Sequence, residues 1–208
     1  MLILTFPDYL KQSQQLARTL GVPCKVVDVH HFPDGENKVC LPAELPEHVV
    51  LCRSLNNPNE KLIELLLSAE TARQMGVNKL TLVAPYLCYM RQDSAFTHGE
   101  AISQRIICRW LGDMFDTIVT VDPHLHRVEQ LSELFPNTQT VTLSATALMG
   151  ELIRARFNAS PLLLGPDSES QQWVKQVADS AALDYTICHK TRHGDHDVDV
   201  HLGDCDLA

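Results

Sequence analysis

Val83-Ala-Pro-Tyr-Leu-Cys-Tyr-Met-Arg-Gln-Asp93 is an apolar run that ends in Pro-Tyr and then in charge and amide. It reads as a buried strand delivering Arg91, Gln92 and Asp93 to its carboxyl end, where open α/β sheets bind ligands. Gly99-Glu-Ala-Ile-Ser103 follows, and then Val121-Asp-Pro-His124, a second run that ends in polar side chains.

Outward from these stretches, short β-like runs alternate with helix-length segments, as crossover units on a mostly parallel sheet require. Strands are expected at Leu2 to Thr5, Lys25 to Val29, Asn37 to Leu41, Val49 to Arg53, Leu80 to Pro85, Thr117 to Val121 and Thr138 to Thr142. The clearest helix starts near Pro58, where Leu62, Ile63, Leu66 and Leu67 recur at helical spacing, and stops near Gly76. Another runs from about Ala101 to Gly112 with Ile102, Ile106, Ile107 and Trp110 on one side. After Ser144, a candidate helix cap, the alternation restarts: helix to Arg156, strand at Leu162 to Leu164, helix to Ala182, strand at Tyr185 to Cys188. The restart implies a second domain. From Asp195 to His201 the alternation of Asp, Val and His reads as a strand with polar residues on one face. His189, His193, His196 and His201 have no cysteine pair at finger-like spacing, which argues against a zinc site.

At 208 residues the chain holds one large α/β domain or one domain and part of another. A net charge of −9 argues against a nucleic-acid surface, which needs a basic face, but leaves room for small phosphorylated ligands held by a few local donors and a divalent cation. No apolar run is long enough to cross a bilayer, and the start Met-Leu-Ile-Leu-Thr-Phe lacks the basic flank and cleavage site of a signal peptide. Seven cysteines are scattered without a close pair, several within apolar strand-like runs; they read as reduced, in a cytoplasmic protein.

Phe32-Pro-Asp-Gly-Glu36, the segment from Arg53 to Leu67, Leu164-Gly-Pro-Asp167 and His189-Lys-Thr-Arg192 join the stretches already quoted. In spacing, identity and order along nearly the whole chain, they resemble the ribose-phosphate pyrophosphokinases, also called phosphoribosyl-diphosphate synthetases. Phe96-Thr-His-Gly-Glu100 is closer to the archaeal-type class of that family. The resemblance implies two phosphoribosyltransferase-like α/β domains with mostly parallel sheets, residues 1–143 and 144–208, the second incomplete. In the family a further strand and an acidic loop ending in Thr-Gly-Gly-Thr follow the point matched by Asp206 to Ala208, so the chain reads as C-terminally truncated. That loop cradles the sugar 5-phosphate, so turnover by these residues alone is in question.

The activity so implied is transfer of diphosphate from ATP to the anomeric hydroxyl of ribose 5-phosphate, giving phosphoribosyl diphosphate and AMP. Such a transition state spreads charge over non-bridging oxygens, and the protein's part is positioning and cationic stabilisation. By the same resemblance, Lys190 and Arg192 are the catalytic cations. Arg91 contacts phosphate, Gln92 reads the nucleoside, and Asp93 orients Arg91. Phe32, Asp34 and Glu36 reach the ATP of a neighbouring subunit, which implies a homo-oligomer. His124 and Asp167 carry the Mg2+ of ATP directly or through water, with Asp122 orienting His124 or the metal waters.

Read without the family, Lys190 and Arg192 are an exposed basic pair, His124 is a turn residue, Arg91 to Asp93 make a loop salt bridge, and Pro33-Asp-Gly35 is a turn between strands. The family's commoner members carry basic residues between the positions of Asp93 and Gly99, where this chain has Ser94 to His98; phosphate control of the usual kind is not expected. Two rivals share the fold. A non-catalytic regulatory homologue has no need of the transferring cations, and a phosphoribosyltransferase has no need of the ATP-binding segments.

Overall fold

The computed structural model describes residues 1–192 and 198–202. The chain divides into two compact units, Met1–Leu143 and Ser144–Ala208.

In the first unit, the elements in order are β1 (Leu2–Thr5), α1 (Leu10–Leu20), β2 (Cys24–Val26), β3 (Asp28–His31), β4 (Asn37–Cys40), β5 (His48–Cys52), α2 (Pro58–Gln74), β6 (Lys79–Val83), α3 (Ser103–Met114), β7 (Thr117–Val121) and β8 (Gln139–Leu143). Six strands form one parallel sheet in the order β2-β1-β5-β6-β7-β8. Such a sheet must be covered on both faces, and its inner strands are accordingly apolar on both. Leu2 and Leu4 of β1 join Leu51, Leu82 and Ile118 in the main core, while Ile3 between them packs with Val50 and Ala17 of α1 on the other side. The family's fold class expected from the sequence is the one observed.

The expected strand from Lys25 to Val29 is two strands. Val27 is fully buried and donates its N–H to Thr5 O at 2.7 Å; beyond it the chain leaves the sheet, and Asp28–His31 pairs instead with β4 as an antiparallel hairpin.

Helix faces also differ from the apolar reading. α2 begins with Pro58 in its first turn, where the missing N–H costs nothing, and ends before Gly76 at φ 91°. It buries Leu62, Glu64, Leu65, Ser68, Ala69 and Ala72, and leaves Ile63 47 % exposed. α3 buries Gln104, Cys108, Leu111 and Met114; Ile107 and Trp110 lie at the edge of the core and Ile106 is half exposed.

The second unit contains α4 (Thr146–Arg156), β9 (Leu163–Gly165), α5 (Gln171–Ala181), β10 (Tyr185–Ile187), β11 (His189–Arg192) and β12 (Val198–His201). β9 and β10 pair in parallel and β11 and β12 antiparallel. The Ser144 hydroxyl accepts from Thr146 N–H at 3.3 Å, so the expected cap sits one residue ahead of the N-cap position, Ala145. Of the expected strand from Asp195, only Val198–His201 falls among the described residues; His193 and His196 lie outside them. No described helix is long and apolar enough to cross a membrane.

Candidate functional site

In the six-stranded sheet, the carboxyl ends of β5, β6 and β7 are stitched together past the last ladder bonds. Arg53 N–H donates to Val83 O at 3.0 Å, Leu55 N–H to Tyr86 O at 3.0 Å, and Val121 N–H to Pro85 O at 3.1 Å. The loops that follow these strands are therefore held side by side. Each contains a non-glycine residue in the left-handed region: Asn57 at φ 50°, Tyr89 at φ 58° and Asp122 at φ 43°. Strain of this kind persists only where surrounding bonds enforce it, and it gathers at functional sites. Tyr89 is fixed by its hydroxyl on Asn59 Oδ1, and Asp122 by its N–H on Leu143 O at 2.9 Å.

Arg91 leaves the β6 loop exposed to solvent. Gln92 is half-buried, and its amide nitrogen donates to Ser94 O at 3.0 Å and to Glu100 Oε1 at 2.6 Å, which commits both donors within the loop. Asp93 does not orient Arg91 as expected: its carboxylate pairs with Arg127 at 3.4 Å, linking the loop after β6 to the segment after β7. Glu100 organises the intervening turn, accepting from Phe96 N–H at 2.7 Å and Thr97 N–H at 3.0 Å. These bonds hold its carboxyl below the usual range. Glu100 and Arg127 carry no role in the sequence reading. The signal for Glu100 was the Gly-Glu step after a polar loop, a turn closed by a carboxylate.

His124 is half-buried after β7, its Nε2 meeting Nε2 of His126, with ring centroids 4.1 Å apart. Two such nitrogens approach only when one donates or when both lone pairs face a cation. In the second unit, Asp167 follows β9 and accepts Ser170 N–H through Oδ1 at 3.0 Å, leaving a second carboxylate oxygen of the kind magnesium takes. Gly165 is required for this turn, because a Cβ there would stand 2.7 Å from the Ser170 hydroxyl that itself bonds Asp167 O. The donor chemistry at both positions thus fits a hydrated divalent ion. Lys190 is exposed on β11 opposite Val200, and Arg192 ends that strand in register with Val198.

Phe32, Asp34 and Glu36 form a separate group at the tip of the β3–β4 hairpin. Phe32 is 41 % exposed with its ring edge-on to His30, and Gly35 turns the loop at φ 91°. Asp34 Oδ1 accepts Glu36 N–H at 3.2 Å, the side-chain turn its sequence predicts.

A buried ion-pair network was missed by the sequence reading. The chain runs outward from β1 in both directions across the sheet, which makes the crevice between β1 and β5 the topological switch point where such sheets usually take ligands. Here Arg53 fills it. Its guanidinium lies 4.2 Å over the Phe6 ring, donates to Asp8 Oδ1 at 2.9 Å and binds Glu64 Oε2; Lys61 also reaches Asp8 at 2.9 Å. The candidate residues Arg91, Gln92 and His124 lie instead in the segments that follow the neighbouring strands β6 and β7.

A parallel α/β sheet with polar, strained loops gathered on its carboxyl edge has the arrangement at which open α/β proteins take small ligands. Residues 1–114 match the model of the N-terminal domain of ribose phosphate pyrophosphokinase. The ribose-phosphate pyrophosphokinase of Thermococcus kodakarensis is 32 % identical over 95 % of this chain and 69 % of its own length. That of Methanopyrus kandleri is 29 % identical over the whole of this chain and 70 % of its own length, and that of Saccharolobus solfataricus 34 % identical over 86 % and 61 %. The chain belongs to the ribose-phosphate pyrophosphokinase family, and these relatives are archaeal, as the pattern from Phe96 to Glu100 implied. A solved phosphoribosylpyrophosphate synthetase from Mycobacterium smegmatis shares the fold, with a TM-score of 0.80 at 24 % identity, over 96 % of this chain and 66 % of that one.

Proposed function

We propose that this chain works as a ribose-phosphate diphosphokinase: the anomeric oxygen of ribose 5-phosphate attacks the β-phosphorus of ATP, a new O–P bond forms, the bond from that phosphorus to the oxygen bridging to the α-phosphate breaks, and AMP leaves. The observation that carries this reading is the stitched carboxyl edge of β6 and β7, which presents Arg91, Gln92 and the His124 segment side by side on one edge.

Arg91 would take phosphate oxygens with its fork, and the Gln92 carbonyl would accept from the nucleobase. Phe32 offers a ring face for stacking, with Asp34 and Glu36 beside it as acceptors. In a homo-oligomer this hairpin, separate from the six-stranded sheet, would contribute these groups to a second copy's nucleotide. Lys190 and Arg192 would neutralise the charge that develops on the transferred diphosphate. His124 and Asp167 would hold a hydrated magnesium ion, which supplies charge neutralisation along the phosphate chain.

The test is AMP production from ATP, ribose 5-phosphate and magnesium, with Lys190→Ala alongside. Lys190→Ala is expected to lower turnover at saturating substrate by about a hundredfold or more, the size of a lost transition-state donor, while the affinity for MgATP stays within about twofold. AMP only from a chain extended through the sugar-phosphate loop would support the truncation reading, and MgATP binding without AMP from either form would favour the regulatory-homologue reading. Equal loss of turnover and affinity would assign Lys190 to ground-state binding.

A further inference from the structure

The loop Phe32–Glu36 is exposed throughout, and its hairpin shares no ladder with the six-stranded sheet. Its internal bonds, Phe32 N–H to Glu36 O at 2.8 Å and Gly35 N–H to Phe32 O at 3.0 Å, shape the turn and leave its orientation open. Val29 and Val39 seat the body of the hairpin on the main core, and the pair that closes it, His31 opposite Asn37, anchors the tip. Asn37 Nδ2 donates to Glu64 Oε1 at 3.2 Å, and Asn37 Oδ1 lies 2.8 Å from His31 Nδ1.

The chemistry settles every proton in this contact. A carboxylate only accepts, so the amide nitrogen faces Glu64 and the amide oxygen faces the imidazole. His31 Nδ1 must then carry its hydrogen, which it also offers to Glu60 Oε1 at 3.0 Å. Glu64 is 1 % exposed and is gripped by Arg53, which is anchored in turn on Asp8 and Phe6 at the end of β1. A continuous polar relay therefore runs from the carboxyl ends of β1 and β5 through α2 to the base of the loop. Beside it, a cleft of about 450 Å³ opens between the loop and α2, lined by Gly35, Glu36, Asn37, Glu60 and Ile63.

We propose that Asn37 is a positioning residue: clamped by Glu64 on one side and His31 on the other, it sets the pose of Phe32, Asp34 and Glu36 toward the nucleotide. This rests on the nucleotide reading of that loop. A side-chain tether does for this hairpin what the extended ladder does for the loops after β5, β6 and β7. Asn37 is only half-buried, so its truncation leaves the core intact.

The experiment compares the unaltered chain with Asn37→Ala and Phe32→Ala, reading amide hydrogen exchange at Phe32, Gly35 and Glu36 together with MgATP affinity by calorimetry. Asn37→Ala is expected to speed exchange at these amides and to weaken MgATP binding, each by about tenfold, the scale of one lost hydrogen bond to a charged group. The KM for ATP should rise in parallel while turnover at saturating ATP stays within about twofold. Phe32→Ala should weaken MgATP while leaving exchange at Gly35 and Glu36 unchanged. Unchanged exchange in Asn37→Ala overturns the positioning role whatever the nucleotide does. Faster exchange with unchanged affinity in both variants overturns the nucleotide reading of the loop and the proposal with it.

Discussion

The two edges of the six-stranded sheet are built to different ends. At the amino edge, Asp116 sits before β7, accepts Leu80 N–H at 2.6 Å and pairs with Arg73 at 2.9 Å, while His48 Nε2 lies 3.1 Å from Thr81 Oγ1. Every one of these contacts ties neighbouring elements together, and none involves a left-handed residue. The carboxyl edge holds Asn57, Tyr89 and Asp122 in the left-handed region, exposes Arg91, and places a buried arginine in the usual ligand crevice, while Phe32 is exposed on the separate β3–β4 hairpin. One edge is arranged for cohesion, and the other holds side chains in poses that cohesion alone would not choose.

Substitutions that separate stability from binding can break this contrast. The largest effect is expected at the filled crevice. Arg53→Ala leaves Glu64 buried without its cation, and a broken buried pair costs about 3–5 kcal/mol. Urea denaturation should report that loss. A loss under about 1 kcal/mol would mean that the crevice is wet and available to ligand.

Phe32→Ala should do the reverse, leaving the urea midpoint in place and removing about 1–3 kcal/mol of nucleotide affinity, the range of one stacked base. Asp116→Ala belongs to the other edge. It orphans the Leu80 N–H and should cost about 1–2 kcal/mol of stability with MgATP affinity unchanged. Its pH dependence carries a sign. Burial pushes the Asp116 carboxyl up, but the Leu80 N–H and Arg73 outweigh it and hold the group below the usual range. The contribution is therefore present above the ordinary carboxylate value and fades as pH falls through about 4 and below. Asp116→Ala should flatten that acid limb of the stability curve, whereas Phe32→Ala should not.

The sheet and the candidate side chains after β6 and β7 were legible in the sequence because apolar runs ending in polar groups leave little choice of where each end goes. The helix faces were less legible. On α2 a glutamate among leucines reads as solvent-facing until its arginine, on a different element, is known to lie beneath it; Glu64 turns the buried stripe away from Ile63. Gln104 does the same on α3 by donating to Met90 O at 3.2 Å. The break at Val27 was invisible for another reason: β-branched residues continue on both sides, and only the pairing choice made by β4 ends the strand. Asp93 was assigned to the wrong arginine because Arg91 is near in sequence and Arg127 is near in space.

Cysteine reactivity gives the smallest effect and the closest look at the carboxyl edge. Cys88 precedes the strained Tyr89, and Cys108 on α3 packs its sulfur 3.9 Å from that of Met90. Burial pushes the Cys88 thiol up to about 11 and the Cys108 thiol up to about 12, so neither supplies thiolate near neutrality. Among the described cysteines, exposed Cys40 on β4 is expected to alkylate first at pH 8, with Cys88 and Cys108 protected until denaturant is added. A thiol whose folded value exceeds its unfolded one stabilises the fold at low pH and withdraws that support as pH rises past about 9 toward 11 and above. Stability should accordingly fall in that window, and Cys88→Ala should soften the fall if its own packing loss is subtracted at pH 7. Any Cys88 labelling at neutral pH then measures how often the strained loop opens. Saturating MgATP should slow that labelling if the loop's strain is held for ligand, and should leave it untouched if the strain serves only the packing of α3.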